Sequence, residues 1–307
     1  MHHGGDVPGR IGTVAGMDSR LRAMVPWWGK IAAKLLLSRL PVSGRTWQRL
    51  GLFSPGGMLD ADYAIAVFER HFHAAGAPRP GFAFLELGPG DSLASAVIGR
   101  AYGAAQGWLI DSGAYVSRDP AVYGRLIAEL RQRGTPGNLP ADLPCDDLER
   151  LLAACGAEYL DEGLASLARI PDGACDMAFS QAVLEHVPRE AFATLMSELY
   201  RVLRPGGIAS HAIDFRDHLG GGLNNLRFSP ALWEAPWFAK RSGFYTNRLR
   251  LPEMVDAFHG AGFEVEVREK GTWDRLPLAH HAIHPAFRSL TQEDLLTRSA
   301  FVRLCKP

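Results

Sequence analysis

The feature that most constrains this chain is a short apolar run that stops at a glycine turn. Phe82-Ala83-Phe84-Leu85-Glu86-Leu87 leads into Gly88-Pro89-Gly90-Asp91-Ser92, and a second apolar run, Leu109-Ile110, ends on Asp111. In a parallel α/β sheet the turn after the first strand lets backbone approach a ligand closely, and an acid roughly 20 residues on can accept both ribose hydroxyls. Gly88 and Asp111 stand 23 positions apart, so the pair points to a nucleoside cofactor.

From Phe82 onward, apolar runs of strand length alternate with helical periodicity, which argues for a mostly parallel sheet covered on both faces. Strands are expected near 82–88, 106–111, 157–160, 175–180, 207–215, 263–270 and 298–305. Asp119-Pro120 supplies a cap and first turn for a helix to about Arg133. Phe192, Leu195, Met196, Leu199, Val202 and Leu203 trace a helix stripe that stops at Pro205-Gly206-Gly207, and residues 251–262 repeat the pattern. A nicotinamide-dependent dehydrogenase would need a third glycine three residues beyond Gly90 for close helix–strand packing, and Leu93 stands there.

Composition narrows the partners. Thirty-three basic residues against 33 acidic ones leave no overall field favouring nucleic acid or anionic lipid. Cys145, Cys155, Cys175 and Cys305 have neither metal-binding spacing nor the density of a disulfide framework, which suits a reducing cytoplasmic compartment. No run approaches the roughly 18 apolar residues of a membrane span. Residues 1–20, with His2, His3 and a Gly-rich opening, read as a disordered leader, Met17 being a plausible initiator. Residues 21–78 read as a helical N-terminal extension. Within it, 21–40 is amphipathic, with Met24, Trp28, Ile31 and Leu35 on one stripe and Lys30, Lys34 and Arg39 off it. Such a helix packs on the main domain or lies on a membrane surface with Trp27 and Trp28 at the interface.

Four motifs in order, Leu85-Glu86-Leu87-Gly88-Pro89-Gly90, Leu109-Ile110-Asp111, Asp176-Met177-Ala178-Phe179-Ser180-Gln181-Ala182-Val183-Leu184-Glu185-His186-Val187 and Arg201-Val202-Leu203-Arg204-Pro205-Gly206-Gly207, span roughly 82–270. Together they resemble the class I S-adenosylmethionine-dependent methyltransferases, in particular the type 11-like members. The resemblance implies a Rossmann-like, seven-stranded, mostly parallel α/β sheet with helices on both faces and an antiparallel last strand, occupying 79–307. It implies S-adenosyl-L-methionine as cofactor. Glu86 would order the glycine turn or meet the cofactor's amino group, and Gly88, Pro89 and Gly90 would clear space for its methionine part. Asp111 would take the ribose hydroxyls, Leu160, Asp161 and Glu162 would flank the adenine, and Ser180 with Gln181 would line the methyl-donor side.

Departures from the family pattern matter as well. Ser92 replaces the usual third glycine of the turn, and Asp91 beside it can cap the following helix. Some relatives bind magnesium through Glu-x-x-Glu-His, whose first position is Ala182 here, so no metal is expected. Acceptor recognition is expected from an insertion at about 216–250, after the fifth strand. His211, Asp214, Arg216, Asp217 and His218 stand at its start, followed by Gly220-Gly221-Gly222 as a hinge, then Asn224, Asn225, Arg227, Trp233, Trp237, Tyr245, Asn247 and Arg248. His186, His218 and Asp214 are the candidate catalytic groups, required only where the acceptor must lose a proton. His280, His281 and His284, between Pro277 and Pro285, read as a loop over the pocket. The implied function is methyl transfer to a small-molecule or glycan-precursor acceptor in the cytoplasm. Two alternatives stand beside it: a non-catalytic cofactor-binding protein, and a membrane-surface enzyme acting on a lipid-linked acceptor.

Overall fold

The computed structural model describes residues 57–135, 139–241 and 244–307. The leader at 1–20 and the amphipathic stretch at 21–40 lie outside the described residues. A 3-10 turn, Gly57–Leu59, leads to helix α1 (Ala61–Ala74), whose first turn is capped by the Asp60 carboxylate accepting from the Tyr63 N–H at 2.9 Å. The chain then alternates β1 (Ala83–Leu87), α2 (Ala94–Ala101), β2 (Gln106–Ile110), α3 (Pro120–Gln132), α4 (Leu148–Cys155), β3 (Ala157–Leu160), β4 (Cys175–Gln181), α5 (Arg189–Val202) and β5 (Leu203–Asp214). The Asp119-Pro120 start of α3 forms as the sequence indicates, with the Asp119 carboxylate accepting from the Ala121 N–H. Two short helices, α6 (Pro230–Trp233) and α7 (Pro236–Arg241), precede α8 (Leu251–Gly260), β6 (Glu264–Thr272), α9 (Gln292–Leu296) and β7 (Thr297–Cys305).

The seven strands form one sheet in the order β3-β2-β1-β4-β5-β7-β6. β7 runs antiparallel to both its neighbours, and the other pairings are parallel. The order reverses between β1 and β4, and in such sheets the crevice beyond the carboxyl ends at that reversal is where ligands sit. The largest departure from the expected strand boundaries is at β5. β5 begins at Leu203 rather than 207, and α5 ends at Val202, because a residue preceding proline is driven out of helical conformation and Pro205 already weighs on that stretch.

Side-chain alternation along the strands sorts two cores. On one face Phe84 and Phe179 meet Phe68 from α1 edge-to-face, at centroid separations of 5.7 and 5.8 Å. On the other, Leu85, Leu87 and Ala178 pack with Leu195, Met196 and Leu199 of α5 and Phe258 of α8. Burying each of the Phe, Leu and Met side chains contributes about 1.5–3 kcal/mol. Two smaller clusters lie beyond the sheet. One gathers Leu219, Trp233, Phe238 and Phe244, and the other joins Leu223 and Leu226 to Leu278, Ile283 and Leu295. The segment after β5 and the segment between β6 and β7 therefore share one apolar core. Among the described residues, no helix is long and apolar enough to cross a membrane.

Candidate functional site

The glycine turn is built by two left-handed residues, Gly88 at φ +69° and Gly90 at φ +72°. A Cβ on Gly88 would stand 2.4 Å from Cγ2 of Val183, just past β4, so the ends of β1 and β4 nearly touch there. Asp111 braces the same turn. Its Oδ2 accepts from the Gly90 N–H at 3.1 Å and its Oδ1 from the Ser112 N–H at 2.7 Å. Its main chain joins β3, with its N–H donating to Leu160 O and its carbonyl accepting from the Gly163 N–H. Burial raises the Asp111 pKa, against the pull of the hydrogen bonds from Ser112 and Gly90.

Around this turn lies a set of buried oxygens without partners. Glu86 Oε2, both Asp91 carboxylate oxygens and the hydroxyls of Ser92 and Ser95 make no hydrogen bond among the described residues. Asp91 does not cap α2, contrary to expectation. The cap position falls to Leu93, which offers no side-chain acceptor, and the Asp91 carboxyl is turned inward at 3 % exposure. Burial pushes the Glu86 pKa up to about 8, opposed by the Ser95 hydroxyl and reinforced by the charge of Asp111. Burial likewise pushes Asp91 up to about 7, opposed by its own nearby main-chain N–H. Buried polar groups are normally paired, so an unpaired cluster of acids and hydroxyls at a helix start suits a polar ligand carrying a cationic group.

The other sequence candidates are placed unequally. Pro89 is buried within the turn, whereas Asp161 and Glu162 are exposed on the loop after β3. Leu160 is 4 % exposed in the apolar core, so what it gives the site is backbone. Ser180 is fully buried with its Oγ 2.8 Å from His211 Nδ1, leaving its hydroxyl already committed. Gln181 is half-buried at the carboxyl end of β4, its Oε1 3.4 Å from Nε2 of His71. His211 belongs to the interior of β5 rather than to the acceptor region, and burial drops its pKa to about 3.

His186 and His218 come together. Their rings stack at 4.9 Å and 7°, with Nε2 to Nε2 at 3.2 Å, although they are 32 positions apart. His186 Nδ1 lies 3.0 Å from Tyr245 O, and a carbonyl only accepts, so this nitrogen carries a proton. In the neutral pair His186 Nε2 is then bare and His218 Nε2–H donates to it. Surrounding protein lowers the His186 pKa, opposed by the Tyr245 hydrogen bond and by the charge of Asp214. Asp214 itself is gripped by Arg216, with Nε to Oδ1 at 2.9 Å and Nη2 to Oδ2 at 2.8 Å. Next to them Glu185 is 2 % exposed with both carboxyl oxygens unpartnered, and burial raises its pKa well above the ordinary range, with Asp214 adding to the effect.

Residues that sequence reasoning left undefined hold this arrangement. Asn247 Nδ2 donates to Leu184 O at 2.7 Å and Val187 O at 2.9 Å, and its N–H donates to Glu185 O. The segment before α8 is thereby fastened to the turn that carries His186. Arg250, 1 % exposed, donates to the carbonyls of Phe215, Asp294 and Thr297, pinning both halves of the outer core to β5 and β7. The glycine run is no free hinge either. Asp217 Oδ1 accepts from the Leu219 and Gly220 N–H groups, and its Oδ2 accepts from the Asn224 N–H. An Asx-type pattern (Asp followed by glycines) was the one sequence signal for that turn. His280 and Pro285 each begin a short 3-10 turn, and the His284 N–H donates to Leu226 O in the adjoining segment. Among the described residues no group of three or more His, Cys, Asp or Glu could hold a metal ion.

Residues 125–210 match the family model described as a methyltransferase domain. The match begins beyond Gly90 and Asp111, so those two positions rest on the geometry above. Over 180 residues the chain is 33% identical to a Mycolicibacterium smegmatis protein described as "Probable S-adenosylmethionine-dependent methyltransferase", the alignment covering 52% of this chain and 62% of that one. The chain thus spans less than two thirds of that relative. Among solved structures, phosphoethanolamine N-methyltransferase 2 of Haemonchus contortus is 16% identical, with 83% of this chain and 54% of that chain covered at a TM-score of 0.44. Geranyl diphosphate C-methyltransferase of Streptomyces coelicolor is 14% identical, with 79% and 76% covered at a TM-score of 0.44. The sheet order, the match over residues 125–210 and the relative together make this chain similar to the S-adenosylmethionine-dependent methyltransferases.

Proposed function

We propose that this protein is an S-adenosylmethionine-dependent methyltransferase acting in the cytoplasm on a small-molecule or glycan-precursor acceptor. The observation that carries the reading is the left-handed Gly88–Gly90 turn braced by Asp111 and ringed by the orphaned oxygens of Glu86, Asp91, Ser92 and Ser95. These residues suit a zwitterionic amino acid joined to a nucleoside. Glu86 and Asp91 would receive the ammonium, Gly88 and Gly90 would leave room for the chain, and Asp111 would exchange its backbone donors for ribose hydroxyls. Asp161 and Glu162 would stand beside the base. When bound, the cofactor supplies a methyl group already activated on a sulfonium, so the protein's task is alignment of the acceptor.

The acceptor side is the His186–His218 pair under the cap formed by residues 216–250 and 273–296. His218 is the base in this reading. Its ring is held against His186, and in this role it takes a proton from an acceptor hydroxyl. Asp214, paired with Arg216, acts through the field it places on the pair rather than as a base.

Calorimetric titration with S-adenosylmethionine on the wild type and Asp111→Ala tests the reading. Micromolar binding, weakened about tenfold or more in the variant, is the expected result. A folded wild type that does not bind would remove it.

A further inference from the structure

One buried titratable group has no part in the scheme above. His71, on α1, is fully buried, sandwiched between the rings of Phe179 at 4.9 Å and Phe301 at 5.3 Å. Its Nδ1 is 2.8 Å from Ser210 Oγ, and its Nε2 is 3.4 Å from Gln181 Oε1. Burial, with the nearby His211 and Arg70 adding to it, drops its pKa to about 3, so the ring is neutral and carries one proton. A serine hydroxyl can donate or accept, whereas an amide oxygen only accepts. The arrangement is satisfied throughout when Ser210 donates to Nδ1 and Nε2–H donates to Gln181 Oε1.

We propose that His71 is a positioning residue that fixes the Gln181 side chain with its oxygen inward and its NH2 group toward the methyl-donor side of the cleft. This inference rests on the methyltransferase reading for its consequence, but not for its geometry. The amide nitrogen of Gln181 has no hydrogen-bond partner among the described residues. An NH2 group offers only donors. The cleft therefore favours an acceptor that presents oxygen lone pairs beside the reacting centre, a hydroxyl, carboxylate or carbonyl, and disfavours one that presents an ammonium. Such an oxygen can accept from Gln181 while a hydroxyl proton passes to His218. His71 acts entirely through Gln181, because its ring is sealed from the cleft.

The test begins with the wild type and needs no variant to fold. Long-range proton–nitrogen NMR on protein labelled at histidine reads the tautomer directly, the His71 signals being assigned by their loss in His71→Phe. The expected result at pH 7 is a protonated Nε2 and a bare Nδ1. A protonated Nδ1 would overturn the proposal, since Gln181 would then face inward with its nitrogen. The class assignment is read with acetate and methylammonium as the smallest oxygen and ammonium probes, added to the complex with S-adenosylhomocysteine. The Gln181 side-chain amide signals should move with acetate and not with methylammonium, and should lose that response in His71→Phe. No movement with acetate overturns the assignment. Failure of the wild type to bind S-adenosylhomocysteine would instead sink the methyltransferase reading, and the tautomer result would stand apart from it.

Discussion

Gly88 shows how tightly single residues are constrained at the site. Its φ of +69° disfavours any side chain, and a Cβ would press on Val183 at 2.4 Å. Gly88→Ala should therefore cost roughly 1–3 kcal/mol in urea unfolding and abolish cofactor binding in calorimetry, while unchanged stability would contradict the close approach of β1 and β4. The carboxyls beside it predict a proton linkage. Glu86 at about 8 and Asp91 at about 7 hold protons near neutral pH. A cationic ligand favours their ionised forms, so binding should release protons. Titrations at pH 7 in buffers of different ionisation enthalpy should then differ in apparent heat in the sense of release, and identical heats would rule the linkage out. His218→Ala should lower turnover by at least tenfold at saturating acceptor. Because His186 and His218 act as a pair, the double variant should lose little more than either single one.

At the scale of elements, the cap is secured by a few polar side chains that reach main-chain carbonyls. Arg250 is the central one, burial lowering its pKa to about 10, which still leaves it charged at neutral pH. Arg250→Met removes donors from the carbonyls of Phe215, Asp294 and Thr297 and should destabilise the fold by about 3–5 kcal/mol, seen as a lower denaturation midpoint. Elements were also where the sequence was most legible. The Asp119-Pro120 cap of α3 and the stripe of α5 depend on neighbours within a few positions, so local pattern suffices. The start of α2 was not legible in the same way. Asp91 has the chemistry of a cap, yet the turn geometry set by Gly88 and Gly90 carries its carboxyl into the site and gives the cap position to Leu93. The glycine run after β5 reads as a hinge until Asp217 is seen to accept three backbone N–H groups there.

For the whole molecule, two buried histidines set a response to acid. His71 and His211 are neutral in the folded protein with pKa values of about 3, whereas in the unfolded chain they titrate near 6.5. Below 6.5 the unfolded state binds more protons, so each histidine withdraws stability as pH falls, at up to about 1.4 kcal/mol per pH unit until 3 is approached. Glu86 and Asp91, whose folded values are raised, act in the opposite sense as pH falls from about 8 and 7 toward their unfolded values. The overall curve therefore mixes opposed contributions, and a difference isolates one of them. His211→Asn keeps a partner for Ser180 without titrating. Its stability relative to wild type should rise by about 1 kcal/mol per pH unit between pH 6.5 and 5. A flat difference would mean that His211 is not held neutral.

The sequence alone determined the strands, the glycine turn, the acid that follows β2 and hence an open, mostly parallel α/β sheet, because alternation, helical period and turn chemistry are written in neighbouring residues. It also placed Glu86, Asp111 and Gln181 at strand ends, where the sheet order turns them toward one crevice. Only the tertiary structure decided which distant groups meet. The stacking of His186 on His218, the grip of Arg216 on Asp214, the reach of His71 to Gln181 and the shared core of residues 216–250 and 273–296 all join positions far apart in the chain. Such contacts arise from packing across the sheet, and no local pattern of residues encodes them.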